Sequence, residues 1–487
     1  MKGMNLIMTD LNLIEKIIAE KEALILDVSH KVWEYAELPY AEYKSCDLYC
    51  KVLADEGFAV EKGIAEMPTS FTGTFKNGNG GCIMGFLGEF DALDILSQEA
   101  GNPVKAPVTD GAPGHGCGHN ALGAGALGAA IALKEYLVEN DIPGTVIYYG
   151  CAAEEGAGAK QFMARAGLFD DVDFIYTWHP ATYNEVDAQG CNAIMGANFE
   201  FHGLTSHAGG TPFLGRSALD ATELMSVGVN YLREHTINEA RIHYAYVDAG
   251  GVAPNVVQDH TLVKYEVRSP KVSQVKELFE RVVNVARGAA LMTDTKMTYE
   301  ITMAFSDYIV NDALAQVADE CLKEVGAPKW DDEDYALAKA FLNTYNETTM
   351  VSIKESIIRK YGEDKLEEIL EKPLDSVIHP YDKNDRSVSG GSTDVGDVTY
   401  AAPTLNFRVA TACIGNVGHT WQMTAQSGSR IADKGLLVAA KAMALSAVRT
   451  MEHPEIISRA KELVLRQNGG KYVCPLPDSV KPPVGKY

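Results

Sequence analysis

The sequence predicts an α/β protein, a strand layer covered by helices on both faces and interrupted by a smaller α+β unit. Three observations carry this reading. Apolar, β-branched runs alternate with helical periods through the first part of the chain. Residues able to do chemistry gather just past the carboxyl ends of those runs, where open α/β sheets bind ligands. From about residue 197 the order becomes βαββαβ, the order of a ferredoxin-like unit.

Taken in order, Leu13, Ile14, Ile17, Ile18, Leu24, Ile25, Val28 and Val32 recur at three- and four-residue spacing and predict helix, and Ser45 to Glu56 repeats the pattern up to Gly57. Phe58–Val60 and Ser70–Phe75 read as strands, and the Asn-Gly steps of 77–81 predict a hairpin into Cys82–Gly88. That strand delivers Glu89-Phe90-Asp91. A Pro-containing loop, 92–113, leads to a small-residue helix from Asn120 to about Glu139. Thr145–Gly150 is a strand ending before Glu154-Glu155, Lys160–Gly167 a helix, and Phe174–Thr177 a strand ending before His179. The βαββαβ segment follows, its strands expected at 198–203, 242–247, 261–267 and 296–304. A helix at 313–325 resumes the main unit, 330–386 reads as a charged, helical, exposed excursion, and a final small-residue helix runs from Gly435 to about Met451. The expected division is 1–197 and 313–487 for the main unit, with 198–312 inserted.

A chain of 487 residues is expected to form two or more domains. Its 46% hydrophobic and 22% charged residues describe an ordinary soluble protein. A formal net charge of -23 argues against nucleic acid or an anionic membrane as partner, although a local Arg or metal can still bind an anionic substrate. Met1–Leu13 contains Asp10 and lacks a long apolar core, so no signal peptide is expected, and no run approaches the ~20 apolar residues of a membrane span. Nine cysteines without a CxxC pair predict reduced thiols in a cytoplasmic protein.

The densest chemistry lies at Gly114-His115-Gly116-Cys117-Gly118-His119-Asn120. Glycines let a backbone fold closely around a ligand, and Cys and His bind borderline transition metals. A Gly-rich turn whose histidines only hydrogen-bond is the alternative. Glu154, Glu155, His179 and His419 come from distant segments to the same predicted sheet edge, which favours a metal site. Adjacent Glu154 and Glu155 point differently on an extended backbone, so one can bind metal while the other serves as a base. Their small neutral neighbours Cys151-Ala152-Ala153 and Gly156–Ala159 favour a confined site over a solvated charge pair.

Glu89-Phe90-Asp91-Ala92-Leu93, Gly116–Asn120, Ala153–Gly156, Ser206–Gly210 and Gly418–Trp421, in this order, resemble the M20 metallopeptidase/amidohydrolase family, in its aminoacylase-like branch. Gly391–Asp397 and His419-Thr420-Trp421-Gln422 resemble the aminobenzoyl-glutamate hydrolases of that branch. The resemblance spans about residues 14–450. It implies a zinc-peptidase-like catalytic domain, a mixed sheet flanked by helices, with the insertion as a ferredoxin-like lid and dimerisation domain. It implies two divalent metal ions per subunit, with Cys117, His119, Glu155, His179 and His419 as ligands. The ligands suit zinc by softness, and the branch commonly works with manganese. Glu89 stands where many members carry a ligand His; Asp91 then orients a ligand His. Glu154 is implied as general base toward the attacking water, and His207 as oxyanion donor, typically from the partner subunit.

By the same resemblance Asn255 and Arg268 bind a substrate carboxylate. Gln258 replaces the usual proline after Asn-x-x, and an ordinary strand Arg is the alternative for Arg268. The expected activity is hydrolysis of an N-acyl or N-aroyl amino acid, p-aminobenzoyl-glutamate among the candidates. A dipeptidase or general aminoacylase on the same site is the alternative, and a non-catalytic metal-binding subunit a different class. The expected assembly is a homodimer, or a hetero-oligomer with a related subunit.

Overall fold

The computed structural model describes residues 9–385 and 387–486, so most of the signal-peptide reading at Met1–Leu13 lies outside the described residues. Eight strands form the main sheet, in the order Ala59–Lys62, Phe71–Asn77, Gly144–Cys151, Cys82–Glu89, Phe174–Ala181, Thr404–Ala410, Asn184–Val186 and Ile378–His379. The third to sixth of these are mutually parallel, while antiparallel strands flank them. All four parallel carboxyl ends therefore point to one edge, and the connection from Cys82–Glu89 leads to one side of the sheet while that from its neighbour Phe174–Ala181 leads to the other. This is the switch point at which such sheets open a crevice.

Alternation along one strand shows that both faces are covered. Tyr148 Oη donates to Gly123 O on the helix His119–Glu139, whereas Tyr149 Oη donates to Leu168 O, just beyond the helix Lys160–Arg165. Neighbouring residues of a strand point to opposite faces. On the first face His119–Glu139 packs between Asp10–Tyr35 and Arg430–Met451. The helix Asp10–Tyr35 begins at the Thr9 side-chain cap and buries the predicted apolar stripe from Leu13 to Val32.

The helix His119–Glu139 is long and apolar enough to cross a membrane by length and composition, although Lys134 and Glu135 interrupt its apolar run. It is instead a core helix, buried along nearly its whole length. Its glycines explain how closely it packs. A Cβ on Gly123 would lie 2.6 Å from the Glu89 carbonyl oxygen and 2.4 Å from Tyr49 Oη. We expect Gly123→Ala to cost about 1–3 kcal/mol of stability in a urea melt, because backbone cannot yield as a side-chain tip can.

The predicted hairpin at 77–81 does not form. Phe71–Asn77 and Cys82–Glu89 both pair with Gly144–Cys151, which lies between them. The Gly-rich turn passes over the start of that third strand: a Cβ on Gly81 would lie 1.9 Å from Pro143 O. Asn-Gly chemistry specified a turn, and burial of the central strand decided its partners. The strand Phe174–Ala181 also runs further than predicted, so His179 lies within it.

Strands Lys296–Phe305, Ala193–His202, His260–Ser269 and Arg241–Asp248 form a second, antiparallel sheet in that order. Helices Ala218–Leu232 and Val272–Thr293 pack together and on this sheet. Numbered by chain order the strands run 4-1-3-2, the ferredoxin-like arrangement. The first begins at Ala193, earlier than the predicted Asn198, because its unbroken apolar run Ala193–Ala197 is buried and shows no alternation.

The segment 330–386 is less exposed than expected. Its helices Asp332–Leu342 and Glu347–Tyr361 bury Phe341, Leu342, Ile353 and Ile357 against Cys413, Ile414 and Ile431. Most of its charged residues form the outer face, while Asp334 and Asp375 are buried. A helix that the sequence pattern did not predict, Pro454–Asn468, follows the one at 430–451 and carries proline in its first turn.

Candidate active site

Each parallel strand end delivers part of one cluster. Glu89 ends its strand and Asp91 follows it. Cys117 precedes, and His119 begins, the central helix; Glu154 and Glu155 follow Gly144–Cys151; and His179 lies in Phe174–Ala181. His419 comes from the loop after Thr404–Ala410, where its amide donates to Gly116 O at 2.9 Å. Two residues of the cluster region, Ala153 and His419, have φ of 57° and 56°, a left-handed conformation that costs L-residues energy unless neighbours enforce it. At Ala153, Glu42 Oε1 accepts the amide at 2.8 Å, and the Ala153 carbonyl accepts from Gly156 and Gly158. This tight turn brings Glu154 and Glu155 inward.

Donor atoms of Cys117, His119 and His179 lie within 4.8 Å of one another, and so do those of Cys117, Glu155 and His419. Cys117 belongs to both groups. His119 Nδ1 meets Asp91 Oδ1 at 2.8 Å and His179 Nδ1 meets Pro180 O at 2.8 Å, so both imidazoles present Nε2 to the cluster. The other Asp91 oxygen accepts the Glu155 amide at 2.8 Å. His419 Nε2 lies 3.3 Å from Glu155 Oε1, and Cys117 Sγ lies 3.4 Å from His179 Nε2.

Among the described residues, His119 Nε2 and Glu155 Oε1 are buried with no hydrogen bond, each facing an ion-pair contact at 3.3 Å, to Glu89 and His419 respectively. Buried polar atoms are normally partnered, and a cation is the partner that suits an imidazole nitrogen, a carboxylate and a thiol together. The residues therefore fit a pair of divalent ions. Burial and the charges of Arg408 and His119 lower His179 to about 4, leaving the neutral imidazole a ligand needs. Glu155 is held down at about 2, because His419 and His119 outweigh its burial. Burial pushes the Cys117 thiol up to about 12, against the pull of His119, so a cation is what would hold it as thiolate. Glu154 is raised well above the carboxylate range by burial and by the charges of Glu89 and Glu155, and its Oε2 lies 3.9 Å from His119 Nε2.

Three features escaped the sequence pattern. Lys160 is wholly buried, with Nζ 2.7 Å from Glu89 Oε1 and 2.5 Å from Asp394 Oδ1. Asp394 Oδ2 also accepts the Ala159 and Lys160 amides, each at 2.9 Å. Despite burial, Lys160 is raised well above its ordinary value by Asp394 and Glu89, so it remains a fixed cation behind the carboxylates. Glu42 and Arg408 are the others; Arg408 pairs in register with His179 and is held by Asp187 at 2.9 Å. Only Asp394 had a signal, its place in the Gly391–Asp397 motif. His115, by contrast, hydrogen-bonds Val32 O at 2.9 Å and turns away from the cluster.

A cavity of about 500 Å³ opens over the cluster, and Arg268 lines its opposite wall from the second sheet. Arg268 Nη1 donates to Ser392 Oγ at 3.3 Å and its Nη2 lies 3.5 Å from Glu266 Oε2, while its buried Nε has no hydrogen-bond partner among the described residues. His207 and Asn255 do not line this cavity. They lie together on neighbouring loops of the second sheet, the Ala208 amide donating to Asn255 O at 2.9 Å. His207 Nδ1 accepts from the Gly209 and Gly210 amides, which places the proton of the neutral ring on Nε2 as an outward donor.

Residues 85–444 match the model of peptidase family M20/M25/M40. The chain is 37% identical over 460 residues to the B subunit of p-aminobenzoyl-glutamate hydrolase of Escherichia coli K12, covering 94% of this chain and 95% of that one. It is 25% identical over 447 residues to the Xaa-Arg dipeptidase of Mus musculus, covering 89% and 87% of the two chains. Among solved structures, the Bacillus subtilis YXEP protein, described as a dinuclear metal-binding peptidase of family M20, superposes with a TM-score of 0.57 at 16% identity, over 89% of this chain and 99% of that one. A match over most of the chain, a full-length relative and a common fold lead to one conclusion: the chain belongs to peptidase family M20/M25/M40 and is an amidohydrolase.

Proposed function

We propose that the protein hydrolyses the amide bond of an N-acyl or N-aroyl amino acid, with p-aminobenzoyl-glutamate as the first candidate substrate. The observation that carries this is the pair of donor groups sharing Cys117, with Glu154 beside them and an unpartnered guanidinium Nε across the cavity. Cys117, His119 and His179 would hold one cation and Cys117, Glu155 and His419 the other, Mn2+ or Zn2+. Such a pair supplies Lewis acidity toward water and the amide carbonyl. Glu154 takes the proton of the attacking water and returns it to the leaving amine. Asp91 keeps the His119 ring turned with Nε2 inward. Arg268 offers its unpartnered Nε to the substrate carboxylate, a task that suits a planar donor fork.

His207 lies outside the cavity of its own subunit, which agrees with a role at the cavity of a partner. The edge strand Arg241–Asp248, with exposed Tyr244, Tyr246 and Val247, offers a surface for that homodimer. Assembly with a related chain is the second reading, favoured because the E. coli relative is named as one subunit of its hydrolase.

Incubation with Mn2+ or Zn2+ and a panel of acylated amino acids and dipeptides tests the activity. Turnover of N-acyl or N-aroyl amino acids is expected, and no turnover at full metal occupancy defeats the proposal. Relative kcat/KM across the panel separates it from a dipeptidase or general aminoacylase. We expect Arg268→Ala to lower kcat/KM about 10–100-fold, mainly through KM, for substrates with a free carboxylate and little for their amides. Equal losses on both would remove Arg268 from substrate binding.

A further inference from the structure

The second sheet carries another group of metal-type donors, remote from the cleft in composition and setting. Glu200, His202 and His260 place one donor atom each within 4.8 Å of one another. Strand pairing produces the arrangement: His260 stands opposite His202 in register, and Glu200 lies two residues before His202 on the same side of its strand. That side is turned away from the helices, since the alternate residues Phe199 and Phe201 are fully buried, Phe199 against Phe279 of the helix Val272–Thr293. Glu200 Oε2 lies 3.2 Å from His260 Nε2 and 3.6 Å from His202 Nε2. A tetrahedral ion with bonds of about 2.0–2.1 Å sets its ligands about 3.4 Å apart, which these spacings bracket.

Asp248 stands behind. Its Oδ2 is 3.3 Å from His260 Nδ1, and its Oδ1 accepts the Gly250 amide at 2.8 Å. A fixed carboxylate on the far nitrogen of an imidazole is the arrangement that orients a histidine toward a metal.

We propose that Glu200, His202 and His260 form a divalent-cation site on the inserted unit, with Asp248 orienting His260 and one coordination position open to solvent. Two imidazoles and one carboxylate select borderline ions of the zinc class over magnesium or calcium, which favour oxygen. The site lies where two strands run into the loops bearing His207 and Asn255. The Gly203 amide donates to Asp259 O at 2.7 Å, and the Val257 amide to Ser206 O at 2.9 Å. A bound ion ties the roots of both loops.

The test is equilibrium dialysis of the full-length protein against buffered Zn2+, with zinc counted by elemental analysis. The wild type should hold one more ion per chain than His202→Ala/His260→Ala. That difference stands whether or not the cleft binds its own pair, so the two assignments fail separately. With Co2+, the wild type should show a visible ligand-field absorption component that the double variant lacks. The residues are partly exposed, so the variant should fold, which circular dichroism checks. Glu200→Gln, which keeps both imidazoles, should lower occupancy at a fixed zinc concentration. Equal zinc content in wild type and folded double variant overturns the proposal and leaves the cluster as histidine–carboxylate ion pairs.

Discussion

Glu154→Gln should lower kcat by about 10²- to 10⁴-fold while the protein binds the same quantity of metal. Gln keeps the volume and one oxygen of Glu154 but cannot take a proton from water. Glu154 lies in neither group that contains Cys117, so losing its charge should leave both metals held. The measurement must include metal content, because Glu154 also falls within a third group with Glu89 and His119. If the Glu154→Gln variant loses a metal ion together with activity, Glu154 is a ligand. If turnover stays near normal, the base lies elsewhere. Loss of rate at unchanged occupancy is the only outcome that assigns proton transfer to this carboxylate.

Lys160→Met should destabilise the fold by about 3–5 kcal/mol, read from the midpoint of urea unfolding at neutral pH. Lys160 and Asp394 are fully buried and Glu89 nearly so. Removing the ammonium leaves two carboxylates facing each other in a low dielectric, and their charge is then uncompensated. Adding Glu89→Gln or Asp394→Asn to Lys160→Met should recover part of the loss, since each removes one orphaned charge. A single variant as stable as the wild type would show that solvent or protonation already compensates these carboxylates. The effect bears on chemistry as well as folding. Glu89 also lies 3.3 Å from His119 Nε2, so a swing of its side chain would reach a residue of the donor cluster.

Much of the site was legible one strand end at a time. Cys117 and His119 lie in a glycine-spaced cluster before a small-residue helix, and Glu154-Glu155 in a neutral, small-residue setting after a strand. Those local patterns follow from steric rules that act over a few residues. The Glu89–Lys160–Asp394 network was not legible, because a lysine at a helix start reads as a solvated charge until its partners, distant in the chain, are known. The hairpin at 77–81 failed for the same reason. Local turn chemistry was right, but a strand more than sixty residues later enters between the two predicted partners.

By itself, the sequence determined the fold class, the βαββαβ insertion and the residue types able to hold metal, since periodicity and spacing are properties of neighbours along the chain. Only the tertiary structure decided that Cys117 is common to two donor groups, that His207 and Asn255 stay outside the cavity, and that a buried lysine stands behind the carboxylates. Each depends on which strands lie side by side and on burial in a shared low dielectric. The Gly114–Asn120 cluster acquires its site from that packing, which carries four separate strand ends to one edge of the sheet.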